Sequence, residues 1–232
     1  MNRDEGPRSF PSVRPKEVWE QVLDELRTRI VLGELPPGER LVETELARQF
    51  GVSRGPVRTA LLTMEQSGLV TSSTRRGVEV ASFSLDDIDE LFAVRTALEA
   101  LAAQQAAGRC TPDVIARLEQ HLDELEMYRA EGRPFEAVEA DLAFHRDICE
   151  ISGNGRLATA WGNLADQLEV VMASVHRIDP AVAANDGEHR EIVAALAAKD
   201  PDASEAALRR HLLHSCSTFK SRTDAASPTL AS

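Results

Sequence analysis

The chain has 232 residues, 43% hydrophobic and 28% charged, with a formal net charge of -12. That length is large for one domain and fits two units of roughly 70 and 140 residues, each able to bury a core. The acidic balance excludes a surface coated in basic charge. Cys110, Cys149 and Cys216, odd in number and far apart, exclude a disulfide framework and fit a reducing compartment.

The opening segment MNRDEGPRSFPSV lacks an apolar core of signal-peptide length. No later segment approaches the ~20 apolar residues that span a bilayer. A cytoplasmic chain with no membrane partner is therefore expected. Residues 1–13 and 223–232 read as disordered tails, leaving a first unit at 14–82 and a second at 83–222.

Within the first unit, Pro37 to Val70 reads PGERLVETELARQFGVSRGPVRTALLTMEQSGLV. Leu46, Ala47 and Phe50 share one helix face, Gly51 supplies a turn, and Val57, Ala60, Leu61 and Met64 recur at helical spacing on a second helix. Ser53 stands at the N-cap, where its hydroxyl is expected to accept from the amide of Gly55. Pro56 falls in the first turn, where a missing N–H does no harm. Arg54, Gly55 and Arg58 then project from the end of a helix that can reach base edges in a DNA major groove. Thr71 to Val80 reads as two short strands around Arg75, Arg76 and Gly77.

These residues resemble the winged helix-turn-helix of GntR-family bacterial transcription regulators. The resemblance rests on Ile30, Gly33, Leu35, Pro37, Gly38 and Leu41, then Glu43, Leu46 and Ala47, then Gly51 to Leu61, and Gly68 to Val70. It implies a double-stranded DNA partner. The contacts are expected from Arg48, Ser53, Arg54, Gly55 and Arg58, with Arg75, Arg76 and Gly77 in the wing. Charge agrees locally: residues 14–82 hold equal numbers of acidic and basic side chains, and from Arg48 to Val78 five arginines face Glu65 alone.

After the wing the pattern is helical throughout. Ser84 caps a helix from Leu85 to about Ala107, and Thr111 with Pro112 opens another to about Glu131. Pro134 starts a third, which ends at Ser152, Gly153 and Asn154. A fourth runs to about His176, a fifth follows Asp186 to Lys199, and a sixth runs from Pro201 to about Arg222. The expected fold is mainly α: a winged helix-turn-helix followed by an antiparallel six-helix bundle.

In that bundle Asp141 and His145 lie four apart, on one helix face. His189 falls in the first turn of the fifth helix and His211 mid-way along the sixth. Three imidazoles and a carboxylate suit a divalent ion, Zn first, with Ni, Co, Mn and Fe as alternatives that spacing does not separate. From the residues alone, only Asp141 and His145 form a candidate pair.

Residues 83–220 also resemble the ligand-sensing FCD domain of the FadR branch of GntR regulators, and the six helices resemble its VanR-type subgroup. The matching pieces are E-L-x-x-V-R-x-x-L-E around Arg95 and Glu99, D-x-x-F-H at Asp141 to His145, E-H-R-x-I at Glu188 to Ile192, and H-L at His211 and Leu212. The resemblance implies that Asp141, His145, His189 and His211 share a divalent metal. It also implies an effector, a small organic acid, with Arg95 as its anionic anchor; the alternative partner for Arg95 is Glu99, one turn on.

Of the other histidines, His214 reads as a partly exposed helix residue, His121 as part of a solvated face, and His176 as the end of the fourth helix. Cys149 reads as a small buried hydrophobe. Together these features describe a homodimeric, non-enzymatic regulator that binds a palindromic operator under effector control. A metal-dependent hydrolase fused to a DNA-binding module is the rival, and it lacks a motif for a general base beside the metal.

Overall fold

In a computed structural model, described for residues 17–73, 77–178 and 186–226, the N-terminal part contains α1 (Val18–Val31), α2 (Glu43–Phe50), α3 (Arg54–Gln66) and strands β1 (Arg40–Leu41), β2 (Val70–Ser73) and β3 (Gly77–Val80). Val22, Leu26 and Ile30 recur every four residues and are buried, giving α1 the apolar stripe that docks on α3. Neither α1 nor β1 is among the elements expected from the sequence. The strands form an antiparallel sheet in the order β1-β3-β2, with Val70 opposite Val80 and Arg40 opposite Glu79.

Gly51 ends α2 at φ 66°, a left-handed conformation that glycine adopts without Cβ strain. Ser53 is the N-cap of α3 as expected, but its hydroxyl makes no capping hydrogen bond. The reason lies in Pro56: it occupies the third helical position, the usual donor to a capping serine, and has no N–H.

The C-terminal part is six helices: α4 (Leu85–Ala106), α5 (Pro112–Ala130), α6 (Pro134–Ile151), α7 (Gly155–Ile178), α8 (Asp186–Ala197) and α9 (Pro201–Ala226), with a 3-10 turn at Ala107–Arg109. Ser84 caps α4 reciprocally: its Oγ accepts from the Asp87 amide at 3.1 Å, and Asp87 accepts from the Ser84 amide at 2.8 Å. Ala102, Ala103 and Ala106 are fully buried and let α9 lie close along α4. α9 continues past Arg222, where the sequence placed a tail, and the Thr223 hydroxyl donates to the Phe219 carbonyl at 2.9 Å. The rest of that expected tail, 227–232, and the expected tail at 1–13 lie outside the described residues.

The two parts are not joined by the 81–84 connection alone. Val170 and Ala173 of α7 are buried in the N-terminal core with Leu26, Val57, Leu61 and Met64. Arg27 of α1 pairs with Asp166 at 2.9 Å and also with Glu169. Gln167 Nε2 donates to the Ser67 carbonyl at 2.9 Å. One helix thus lines both cores.

Gly68 sits under that contact at φ +74°, and a Cβ there would lie 2.7 Å from Gln167 Nε2. Gly68→Ala is expected to lose roughly 1 to 2 kcal/mol from left-handed strain, plus the displaced Gln167 contact. In thermal denaturation, adding Gln167→Ala should relieve the steric part and leave the backbone part.

Candidate metal centre and nucleic-acid interface

Apolar packing carries the four expected metal ligands into the bundle interior. α6 buries Val138, Leu142, Phe144 and Ile148, and on the same helix Asp141 and His145 are buried as well, His145 completely. α8 brings His189 and α9 brings His211, at 2% and 3% exposure. One ring nitrogen from each histidine lies within 4.8 Å of those of the other two. The His145 and His211 rings stack at 5.3 Å, and Phe144 meets His189 edge-on at 5.3 Å. Asp141 Oδ1 stands 3.1 Å from His189 Nε2, and Oδ2 stands 3.8 Å from His145 Nε2.

A second ring of carboxylates faces the outer nitrogens. His145 Nδ1 lies 2.6 Å from Glu99 Oε2, and His211 Nδ1 lies 3.3 Å from Glu188 Oε2. A ring nitrogen beside a carboxylate carries the proton, which leaves Nε2 of His145 and of His211 as the lone-pair nitrogens. Among the described residues, Nε2 of His145 and Nδ1 of His189 are buried without a hydrogen-bond partner. The close contacts to Glu99 and Asp141 are poorly aligned as hydrogen bonds. Buried polar atoms left unpaired cost about 1 to 3 kcal/mol each, so this donor set fits a cation bound among the nitrogens.

Arg95, 1% exposed, engages the partner the sequence offered as its alternative: its Nε donates to Glu99 Oε1 at 2.8 Å. Its Nη1 meets Met172 Sδ at 3.8 Å, and its Nη2, without a hydrogen bond, is 3.9 Å from Asp141 Oδ2. The guanidinium therefore borders the histidine cluster with one edge uncommitted.

Other expectations resolve individually. His214 is half-exposed, and its Nδ1 is 2.9 Å from Glu188 Oε1. His121 is not on a solvated face: only 21% exposed, it approaches Asp147 at 3.1 Å, because α5 packs against α6 there. Cys149 is buried, and that burial pushes its thiol up. The His176 side chain lies outside the described residues, as do Arg75 and Arg76.

In the N-terminal part Arg54, Gly55 and Arg58 are exposed on the first turns of α3. Nothing lies within 4 Å of a Cβ built on Gly55, so this backbone faces open space. Arg54 pairs with Glu43 at 3.0 Å and Arg48 with Glu45 at 2.5 Å, both acids on α2. Gly77 begins β3 at φ +78°.

Residues 19–80 match the bacterial regulatory proteins of the gntR family, and residues 90–214 match the FCD domain. The chain belongs to the GntR family. It is a transcription regulator of the GntR type with an FCD domain. It is similar to the probable D-xylose utilization operon transcriptional repressor of Paenarthrobacter nicotinovorans, 32% identical over 84% of this chain and 85% of that protein. It is also similar to the HTH-type regulator YdhC of Bacillus subtilis, 28% identical over 91% of this chain and 95% of that one. The solved E. coli McbR/YncC shares the fold, with TM-score 0.77 and 22% identity over 90% of this chain and all of that one.

Sequence reasoning about this GntR regulator gave Glu188 no role and treated Glu99 only as a counter-ion for Arg95. Both lie inside the quoted motifs, yet their proximity to the histidines comes from separate helices. Electrostatics suits the cluster to a cation. Burial holds the imidazoles of His145 and His211 below their ordinary value, that of His211 well below it, with the other cluster histidines adding to the effect at His211. Burial would raise the carboxyls of Glu99 and Asp141. At Glu99 the Arg95 charge leads the partners that bring it down to about 2, and at Asp141 the contact with His189 and the nearby Arg95 help hold it well below the usual range.

The sign of the pH dependence follows. Unfolded imidazoles take up protons near 6.5 while folded His145 and His211 stay neutral, so the unfolded state binds more protons as pH falls. The melting temperature of chelator-treated protein is expected to fall from pH 7 toward pH 5. A flat or rising profile would contradict neutral buried imidazoles.

Proposed function

We propose that this regulator acts as a homodimer on a palindromic operator in the cytoplasm, under the control of a small organic acid bound at a divalent metal. The observation that carries this reading is the convergence of His145, His189 and His211 within 4.8 Å beside Asp141. A bound ion, Zn first among Zn, Ni, Co, Mn and Fe, supplies positive charge and Lewis-acid sites for carboxylate or hydroxyl oxygens. Arg95 Nη2, 3.9 Å from Asp141 Oδ2, is the second anchor for a dicarboxylate, hydroxy acid or sugar acid.

On DNA, α3 enters the major groove with Arg54 and Arg58 reaching base edges, and Ser53, Gly55 and the free amides of its first turn meet phosphate. Arg48 flanks the backbone, and Arg75, Arg76 and Gly77 form the wing. Val94 and Leu101, seven residues apart and exposed at 49% and 41% on α4, offer an apolar surface to a second copy. Two copies would present two recognition helices to half-sites about one helical turn apart.

Arg54→Ala is expected to weaken specific operator binding by roughly 1 to 3 kcal/mol per lost base contact, read by gel shift. Full operator affinity in that variant would remove α3 as the reading helix. His189→Ala should lower both metal content and melting temperature, since a ligand that binds only the native state stabilises it. Elemental analysis and thermal shift with small organic acids, with and without metal, check both halves. A compound that binds equally well after chelation would place the effector elsewhere.

A further inference from the structure

Glu99 is fully buried, and three groups from three helices converge on it. Oε1 accepts from Arg95 Nε of its own helix α4 at 2.8 Å and from Trp161 Nε1 of α7 at 2.6 Å, while Oε2 lies 2.6 Å from His145 Nδ1 of α6. A simple counter-ion for Arg95 needs only the first of these. The third sets a carboxylate close against Nδ1 of His145, though poorly aligned as a hydrogen bond, which favours the proton on Nδ1 and leaves Nε2 facing the cluster. The second holds α7, whose Trp161 is 1% exposed, with the Arg146 guanidinium 5.7 Å from the ring centre.

From Trp161 the same helix reaches the DNA-binding part within two turns. Gln167 bonds the Ser67 carbonyl at the end of α3, and Val170 and Ala173 lie in the N-terminal core. α4 touches α7 a second time, through Arg95 at Met172. Any adjustment of His145 that moves Glu99 therefore acts on a packed helix, and that helix has no slack between the two cores.

We infer that Glu99 is the positioning residue that orients His145 toward the metal and, through Trp161, transmits occupancy of the metal site along α7 to the end of α3. This rests on the metal reading above. Trp161→Phe removes the indole N–H and keeps an aromatic ring; Glu99→Gln keeps the shape and removes the charge.

The test uses the full chain with Co²⁺ as probe, following its binding by visible absorption and the amide hydrogen exchange of residues 66–69. The native chain should bind Co²⁺ and show slowed exchange at 66–69. Glu99→Gln should bind roughly 10- to 100-fold more weakly, the usual cost of losing an outer partner of a metal-bound histidine. Trp161→Phe should bind within about twofold of native yet lose the Co²⁺-dependent change at 66–69. It also guards against a Glu99→Gln chain that does not fold, because it leaves the buried charges paired. If the native chain takes up no Co²⁺, the metal reading falls and takes this inference with it. If the native chain binds while Trp161→Phe still transmits, or a folded Glu99→Gln binds as native, Glu99 is only a counter-ion and the inference is overturned.

Discussion

Arg95, Glu99 and Asp141 are charged side chains almost wholly withdrawn from water. Removing one partner from such a set typically costs about 3 to 5 kcal/mol, because the charge left behind is uncompensated. The C-terminal helices are therefore tied to one relative arrangement. α4 supplies the Arg95 and Glu99 pair one turn apart, α6 brings Asp141 and His145 to it, and α7 brings the Trp161 indole. The apolar layers around them, Phe92, Phe144, Leu168 and Ile192, are fully buried and exclude the water that would otherwise screen these charges. The same exclusion keeps the imidazoles of His145 and His211 neutral, the form in which they coordinate cations.

α7 converts that local arrangement into a property of the whole molecule. Its Leu168, Val171 and Met172 belong to the bundle core, and its Val170 and Ala173 belong to the core built by α1 and α3. Arg27 with Asp166 and Glu169, and Gln167 with Ser67, add polar contacts along the same seam. A helix shared by two cores cannot shift in one without repacking the other, which is the physical requirement for coupling between distant sites.

The DNA-binding face is less basic in three dimensions than along the chain. Counted by sequence, the stretch from Arg48 to Val78 sets its arginines against Glu65 alone. Folding brings Glu43 and Glu45, just outside that window, onto Arg54 and Arg48. These exposed pairs are individually weak, of order 1 kcal/mol or less, and phosphate oxygens compete with them readily. They leave this face with less net positive charge than the order of residues along the chain suggests.

Much of this protein follows from local sequence. Helix starts at Ser84, Thr111, Pro112, Pro134 and Pro201, and the left-handed turn at Gly51, depend on neighbours a few residues away, and such signals survive without tertiary context. The i, i+4 spacing of Asp141 and His145 puts them on one face for the same reason. The addition of His189 and His211 rested on resemblance, since spacing cannot bring residues from separate helices together. Tertiary structure alone decided that Glu99 and Glu188 stand behind the histidines and that His121 is packed against Asp147. It also decided that α7 enters the N-terminal core. Each of these depends on how helices far apart in the chain pack. Helix packing is set by the summed burial of whole faces, which no short stretch of sequence contains.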